Sequence, residues 1–388
     1  MVEWEKIELG SNNLIEIDYE NLGAGTDPDY HFKYITLENV DNGKLLQYID
    51  CVFASAPSRA RRVVHKYDLL ISTVRPNLHA HYKVDNDIFN VICSTGFCVI
   101  KTNDSILNRN FLYHLFYSKI IDRQIELIVS GSSYPAINSN DIKKLEIPLP
   151  PLPEQRRIAA VLSDMDALIA ALEKLIAKKR AIKQGVMQEL LTDKRRLAGF
   201  SGDWAEKKLG ELCGDKLRKG QVITEKDVQT GEIPVVAGGR EAAYYHNQYN
   251  RLENVITISA SGVSAGFVNF WNHKIFASDC TTIERSENYD ILFLYYSLLN
   301  KQKEIYLLQT GGAQPHVQPP QLQMLEIEIP LNIAEQTAIA ALLSDMDAEI
   351  DALAAKLNKR KQVKQGMMHE LLTGRIRLLA EGSGNGQN

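Results

Sequence analysis

Six basic side chains fall between Arg59 and Lys83: Arg59, Arg61, Arg62, Lys66, Arg75 and Lys83. Asp68 is the one acid among them, and His65, His79 and His81 are interleaved. Such a patch offers cations to phosphate oxygens, whatever the average charge of its domain. Arg75-Pro76-Asn77 reads as a turn at a strand end, from which Arg and Asn could reach base edges. Scattered surface charge is the plainer reading. A second stretch runs from Gly238-Gly239-Arg240 through Tyr244 and Tyr245 to the small, polar segment Ser259–Gly266. A Gly/Ser loop can cradle a phosphate through its backbone N–H groups. A tight connection between strands explains it as simply, and no Gly-Lys-Ser/Thr is present. The candidates for nucleic-acid contact are therefore Arg59, Arg61, Arg62, Arg75, Asn77 and His79, and separately Arg240, Tyr244, Tyr245 and Ser261.

Catalytic sets are harder to find. No Asn/Asp-Pro-Pro-Tyr/Phe occurs, and Gln318-Pro319-Pro320 does not match it. There is no His-Glu-x-x-His and no Gly-rich cofactor loop in a βαβ setting. Asp164 and Asp166 lie two apart in a helical pattern, so they point in different directions. Cys51, Cys93, Cys98, Cys213 and Cys280 are scattered and read as free, buried thiols of a reducing cytosol, with no metal site. The pattern is that of a binder, not an enzyme.

The elements that must position these groups are bounded by length and composition. The chain has 388 residues, 45% of them hydrophobic and 24% charged, with a net charge of −4. That is ordinary globular composition, and at roughly 100–200 residues per domain it predicts two to four units. No apolar run approaches the length of a spanning helix, and Met-Val-Glu-Trp-Glu-Lys does not open a signal peptide. The basic excess is local: residues 154–197 carry 10 basic and 6 acidic side chains, while residues 1–150 carry 15 and 19.

The strongest signal is an internal repeat. The segment from Glu154 to Leu197 recurs from Glu335 to Leu378, with 25 of 44 positions identical. Both copies read as long helices. Ile158, Met165, Leu172 and Val186 form one apolar line, Val161, Leu168, Leu175 and Ile182 a second, and Leu162, Ile169, Ile176 and Leu190 a third. Three lines make a wide apolar face, suited to a bundle or coiled coil. Asn332 and Glu335 suggest a capping box, and Pro153 suits a first turn. A rod of roughly 36 residues is about 54 Å long. The duplicate is the expected packing partner, antiparallel because a globular stretch separates the copies. Gly185 and Gly366 occupy equivalent places, as a tolerated weak spot or a point of close helix approach. Lys178, Lys179, Arg180 and Lys183, with Lys359, Arg360, Lys361 and Lys364, read as a solvated face.

The predicted organisation is α+β: a globular domain over 1–150, a helical spacer over 151–197, a second domain over 198–331, a second spacer over 332–378 and a disordered tail over 379–388. Leu69–Ser72, Phe97–Ile100 and Asn254–Ile258 read as buried strands, and Phe111–Ile128 and Asp290–Leu308 as helices. The frame is duplicated, whereas the two globular interiors show no mutual resemblance in sequence.

Pro148-Leu149-Pro150-Pro151-Leu152-Pro153-Glu154-Gln155, followed by Ile158, Leu162, Ser163-Asp164-Met165-Asp166 and a long striped helix, resembles the central conserved region of the DNA specificity subunits of type I restriction–modification systems. Ile329-Pro330 through Glu335-Gln336 to Asp347 and Leu372 resembles their distal conserved region. The resemblance implies two target-recognition domains, each reading one half of a split, asymmetric site, and an antiparallel pair of helices that sets the unread gap. About 54 Å bounds that gap at about 16 base pairs. It also implies two docked modification (methyltransferase) subunits, with Glu154, Gln155, Ile158 and Asp164, and Glu335, Gln336, Ile339 and Asp345, as partner-binding candidates. S-adenosylmethionine, and ATP with Mg if restriction subunits join, would be bound by those partners; this chain would carry no cofactor and act in the cytoplasm. A stand-alone regulatory or structural DNA-binding protein on the same frame is the alternative.

Overall fold

The computed structural model describes residues 4–85, 89–129, 135–312 and 314–378. The predicted tail over 379–388 lies outside them. The chain forms two compact units, residues 1–172 with 356–388, and residues 173–355. Both boundaries cut through long helices, Leu152–Leu190 and Ile333–Leu372, so each helix contributes to both units. The spacers are therefore shared and do not form domains of their own.

In the first unit, strand Phe97–Thr102 lies between Ile15–Asp18 and Leu69–Ser72, with Tyr82–Lys83 beyond. A second sheet orders Ile49–Val52, His31–Ile35, Val91–Ser94 and Ala60–Val64, with one parallel pair, Val91–Ser94 against His31–Ile35. In the second unit, Cys280–Ile283 lies between Leu217–Lys219 and Val255–Ser259, with Val268–Trp271 beyond. Its smaller sheet orders Tyr244–His246, Ile233–Val236 and Phe276–Ala277, again with one parallel pair. The strand order is the same. Sequence showed no likeness because these strands, such as Leu69–Ser72 and Val255–Ser259, are buried throughout. A buried strand asks only for apolar or hydrogen-bonded residues of suitable volume, and many sequences satisfy that. Unit one adds Ala60–Val64, which has no counterpart strand among the described residues of unit two.

The predicted helices are present but broken at matching places. Residues 111–128 become Arg109–Leu115 and Lys119–Val129; residues 290–308 become Ile291–Asn300 and Gln302–Leu307.

Each unit is closed by the same set of contacts to the long helices. In unit one Arg377 donates through Nε and Nη2 to the Glu154 carboxylate at 2.9 and 2.8 Å, and its guanidinium packs on Trp4. In unit two Arg196 does the same to Glu335, at 2.9 and 2.5 Å, and packs on Trp204. Gln155 accepts from Asn108 N and donates to Pro150 O; Gln336 accepts from Asp290 N and donates to Pro330 O. Lys364 pairs with Asp166 in unit one, and Lys183 with Asp347 in unit two. Lys179 also pairs with Glu349. Index falls along one helix as it rises along the other in both units, so the helices run antiparallel.

Those lysines were expected on a solvated face. They bridge the helices instead. The capping box at Asn332 is half formed: its side chain accepts from Ala334 N, while the Glu335 carboxylate is taken by Arg196. The apolar lines through Ile158 and Leu162 turn inward, but Val161, Leu168, Leu175 and Ile182 are 37–44% exposed. Among the described residues, no atom of another helix lies within 4 Å of a Cβ built on Gly185 or Gly366, so neither glycine serves a close helix approach.

Candidate nucleic-acid interface

Backbone pairing decides which candidate residues meet. In unit one, Thr73 N donates to Gly96 O and Thr95 N donates to Arg59 O. The turn at Thr95-Gly96 thus brings Arg59 to the loop that carries Arg75, Asn77 and His79. Arg75 and Asn77 are exposed there. His79 is held by Asp122, Nε2 to Oδ1 at 2.7 Å, and lines a cavity of about 710 Å3 together with Tyr117 and Gly366.

Arg62 and Ala60 of strand Ala60–Val64 pair with Cys93 and Ser94, and Arg61 between them is the extra residue of a register shift. Arg61 packs on Phe53 and donates to Ala60 O. Arg62 turns inward: its Nε and Nη1 are buried without a hydrogen-bond partner, beside Tyr19. The two arginines therefore do not form one exposed patch, since Arg62 turns into the protein. His65 joins Asp18, Asp68 and Glu20 at the far end of the same strand. Burial pushes the Asp68 carboxyl up to about 6, and Lys101 bonds Asp18 at 2.6 Å.

In unit two, Ser259 Oγ donates to Gly238 O, and Asn269 donates to Arg240 O. The Arg240 guanidinium sits 5.0 Å over the Phe267 ring. Arg240 and Ser261 therefore share one end of the unit. Ser261 is turned toward Asp279, to which its hydroxyl donates. Tyr244 and Tyr245 lie on the edge strand Tyr244–His246 and point to opposite faces, with Tyr245 58% exposed. The Gly/Ser segment is a strand connection. Its amides at Gly262, Ala265, Gly266 and Phe267 are bonded to the Pro315, Gly262, Ser259 and Ser264 carbonyls. Gly131–Tyr134, which in sequence stands ahead of the first long helix as Gly311–Gln314 stands ahead of the second, lies outside the described residues.

The partner-binding candidates divide. Glu154, Gln155 and Ile158 are 3%, 1% and 0% exposed, and Glu335, Gln336 and Ile339 are 0%, 1% and 0%. They hold the chain's own frame and present nothing to a partner. The Arg377 guanidinium keeps the Glu154 carboxyl below its usual range, as expected of a carboxylate bonded by a cation. Asp164 and Asp345 are exposed. Sequence pattern missed the arginines that clamp, Arg196 and Arg377, although their identity in both copies was the available signal.

The cysteines are free, with Cys93, Cys98, Cys213 and Cys280 buried. Among the described residues no helix is long and apolar enough to cross a membrane.

Two mixed α/β units of one topology on a shared antiparallel helix pair define a class: a duplicated recognition frame carrying two different surfaces. The family described as the type I restriction modification DNA specificity domain matches residues 57–184 and 201–362, more than half the chain. The chain belongs to that family, as a specificity subunit of a type I restriction–modification system. It is 25% identical over 409 residues to the putative type I restriction enzyme MjaX specificity subunit of Methanocaldococcus jannaschii, covering 97% of this chain and 94% of that one. It is 27% identical over 299 residues to the MjaVIII specificity subunit of the same organism, covering 68% and 70%. A solved chain described as the structural basis underlying complex assembly and conformational transition of the type I R-M system aligns with TM-score 0.62 at 25% identity, over 97% of this chain and 99% of that one. The S subunit from M. genitalium shares the fold, with TM-score 0.66 at 17% identity over 96% of each chain. A stand-alone regulator finds no support among these relatives.

Proposed function

We propose that this chain is the non-catalytic reader of its complex. Each unit reads one half of a split, asymmetric DNA site, and the continuous helices set the gap. The observation that carries this reading is the frame itself. Clamp, cap and ion pair recur residue for residue in both units, while the side chains displayed at the ends differ. A repeated frame with unlike surfaces suits unlike half-sites.

Two modification subunits would dock on faces that the copies share. Ala160, Asp164, Ala167 and Ala171 are exposed and identical to the exposed Ala341, Asp345, Ala348 and Ala352. They lie on one helix face by their spacing. Buried identities are explained by packing within the chain; these exposed ones fit a surface offered twice to the same partner. S-adenosylmethionine, and ATP with Mg where restriction subunits join, would bind to the partners in the cytoplasm.

The test is a base-modification map of DNA from cells with and without this gene. A split asymmetric motif, methylated on adenine and lost with the gene, is the expected result. Identical maps would overturn the reading. Asp164→Lys with Asp345→Lys should abolish co-purification of the modification subunit while leaving the chain folded.

A further inference from the structure

Each unit carries one hairpin in the same place: Leu69–Ser72 with Tyr82–Lys83, and Val255–Ser259 with Val268–Trp271. Their connecting loops start from identical anchors. Thr73 N donates to Gly96 O and Ala260 N to Asp279 O. Ile137 N donates to Thr73 O and Val317 N to Ala260 O. Arg75 N donates to Pro135 O and Gly262 N to Pro315 O, flanked by the bridges Val74↔Ala136 and Ser261↔His316. The next residue is left-handed in both, φ 46° at Arg75 and 78° at Gly262.

Beyond that anchor the loops diverge. The first makes a short turn through Pro76, Asn77 and Leu78, closed by Leu78 N on Arg75 O and His79 N on Pro76 O. The second turns through Val263 and Ser264, closed by Ala265 N on Gly262 O and Phe267 N on Ser264 O. Both turns hold an aliphatic side chain out of the protein: Leu78 is 61% exposed and Val263 is 99% exposed. A hydrogen-bonded turn that withholds an aliphatic group from its own core spends burial that folding would otherwise gain. The base of each loop is also approached by a segment that carries an arginine, Arg59 through Thr95-Gly96 bonded to Thr73, and Arg240 through its packing on Phe267.

We propose that these two hairpin loops are the base-reading tips. Leu78 with Asn77 would contact bases of one half-site in the major groove, and Val263 bases of the other. A protruding aliphatic group suits the thymine methyl, and Asn suits the adenine N6/N7 edge. The flanking arginines would hold phosphates and set the approach of each tip. The same anchor carrying different tips gives two half-sites of different sequence.

The inference rests on the chain being a DNA specificity subunit, and the experiment separates the two. The full chain, co-expressed with the modification subunit of its host, is used to methylate a library in which each half-site is randomised in turn. Val263→Ser relaxes preference at one or two adjacent positions of one half, by about tenfold or more. Leu78→Ser does so in the other half, and neither variant changes the opposite half. Val263→Thr, close to isosteric, gives a smaller change at the same positions. Thermal melts confirm folding, since neither side chain enters the core. A wild-type motif that none of the variants alters overturns this inference alone. A wild-type complex that yields no motif overturns the specificity reading and this inference with it.

Discussion

Removing the amide of Gln155 strands three backbone groups at once, Asn108 N, Ile106 O and Pro150 O. The side chain is 1% exposed, so water cannot replace it freely. Gln155→Ala should lower unfolding free energy by about 1–3 kcal/mol, measured by urea titration. Gln336→Ala should act likewise in unit two. The arginines behave differently from one another. Arg59→Ala and Arg240→Ala should each reduce the slope of log affinity against log salt by about 1. Arg62→Met should leave that slope unchanged without loss of stability, because two of its nitrogens are already buried and unpaired. A flattened slope for Arg62→Met would return it to the interface. The sequence named the basic patch but not its inward member. Facing in a strand changes with every residue, and a basic cluster carries no marker of that parity.

Periodicity gave both long helices, and the globular stretch between the copies their antiparallel pairing; the apolar lines placed Ile158, Leu162, Ile169 and Leu172 inside. It could not say which apolar line stays outside, because spacing orders the lines around a helix without naming their neighbours. The ion pairs Asp166–Lys364 and Lys183–Asp347 fix the register. Each is partly exposed and contributes about 0–1 kcal/mol; they act more on alignment than on stability. Deleting one heptad from the first long helix alone displaces its pairs and should abolish assembly. Matched deletions from both helices remove about 10 Å of rise, or about three base pairs of gap. A methylation motif with an unaltered gap after matched deletion would show that the helices do not set it.

Acid acts unequally on the two units. His81 and His114 are 0% and 1% exposed, and burial pushes both imidazoles down to about 3. Between pH 6.5 and 3 the unfolded chain binds these protons and the folded unit does not, so stability falls as pH falls through that range. Asp68, raised to about 6, works in the opposite direction: the folded unit takes up its proton first, which offsets part of the loss between pH 6 and 4. Unit one should therefore lose urea resistance below about pH 6.5, and His114→Gln should flatten that dependence. An unchanged urea midpoint from pH 7 to 5 would contradict it. The frame was legible in sequence because its residues are duplicated; the common strand order was not, because burial constrains volume more than identity.

The arginine clamp and the Asp–Lys pair each have a twin. Glu154 meets Arg377, and Arg377 corresponds to Arg196; Asp166 meets Lys364, and Lys364 corresponds to Lys183. Residues 1–197 alone therefore hold both members of each pair, though never in reach of one another along a single helix. Two such fragments would supply them to each other, Glu154 to the other's Arg196 and Asp166 to its Lys183. The half-length chain should be a homodimer, and with one kind of reading surface it should select a palindrome.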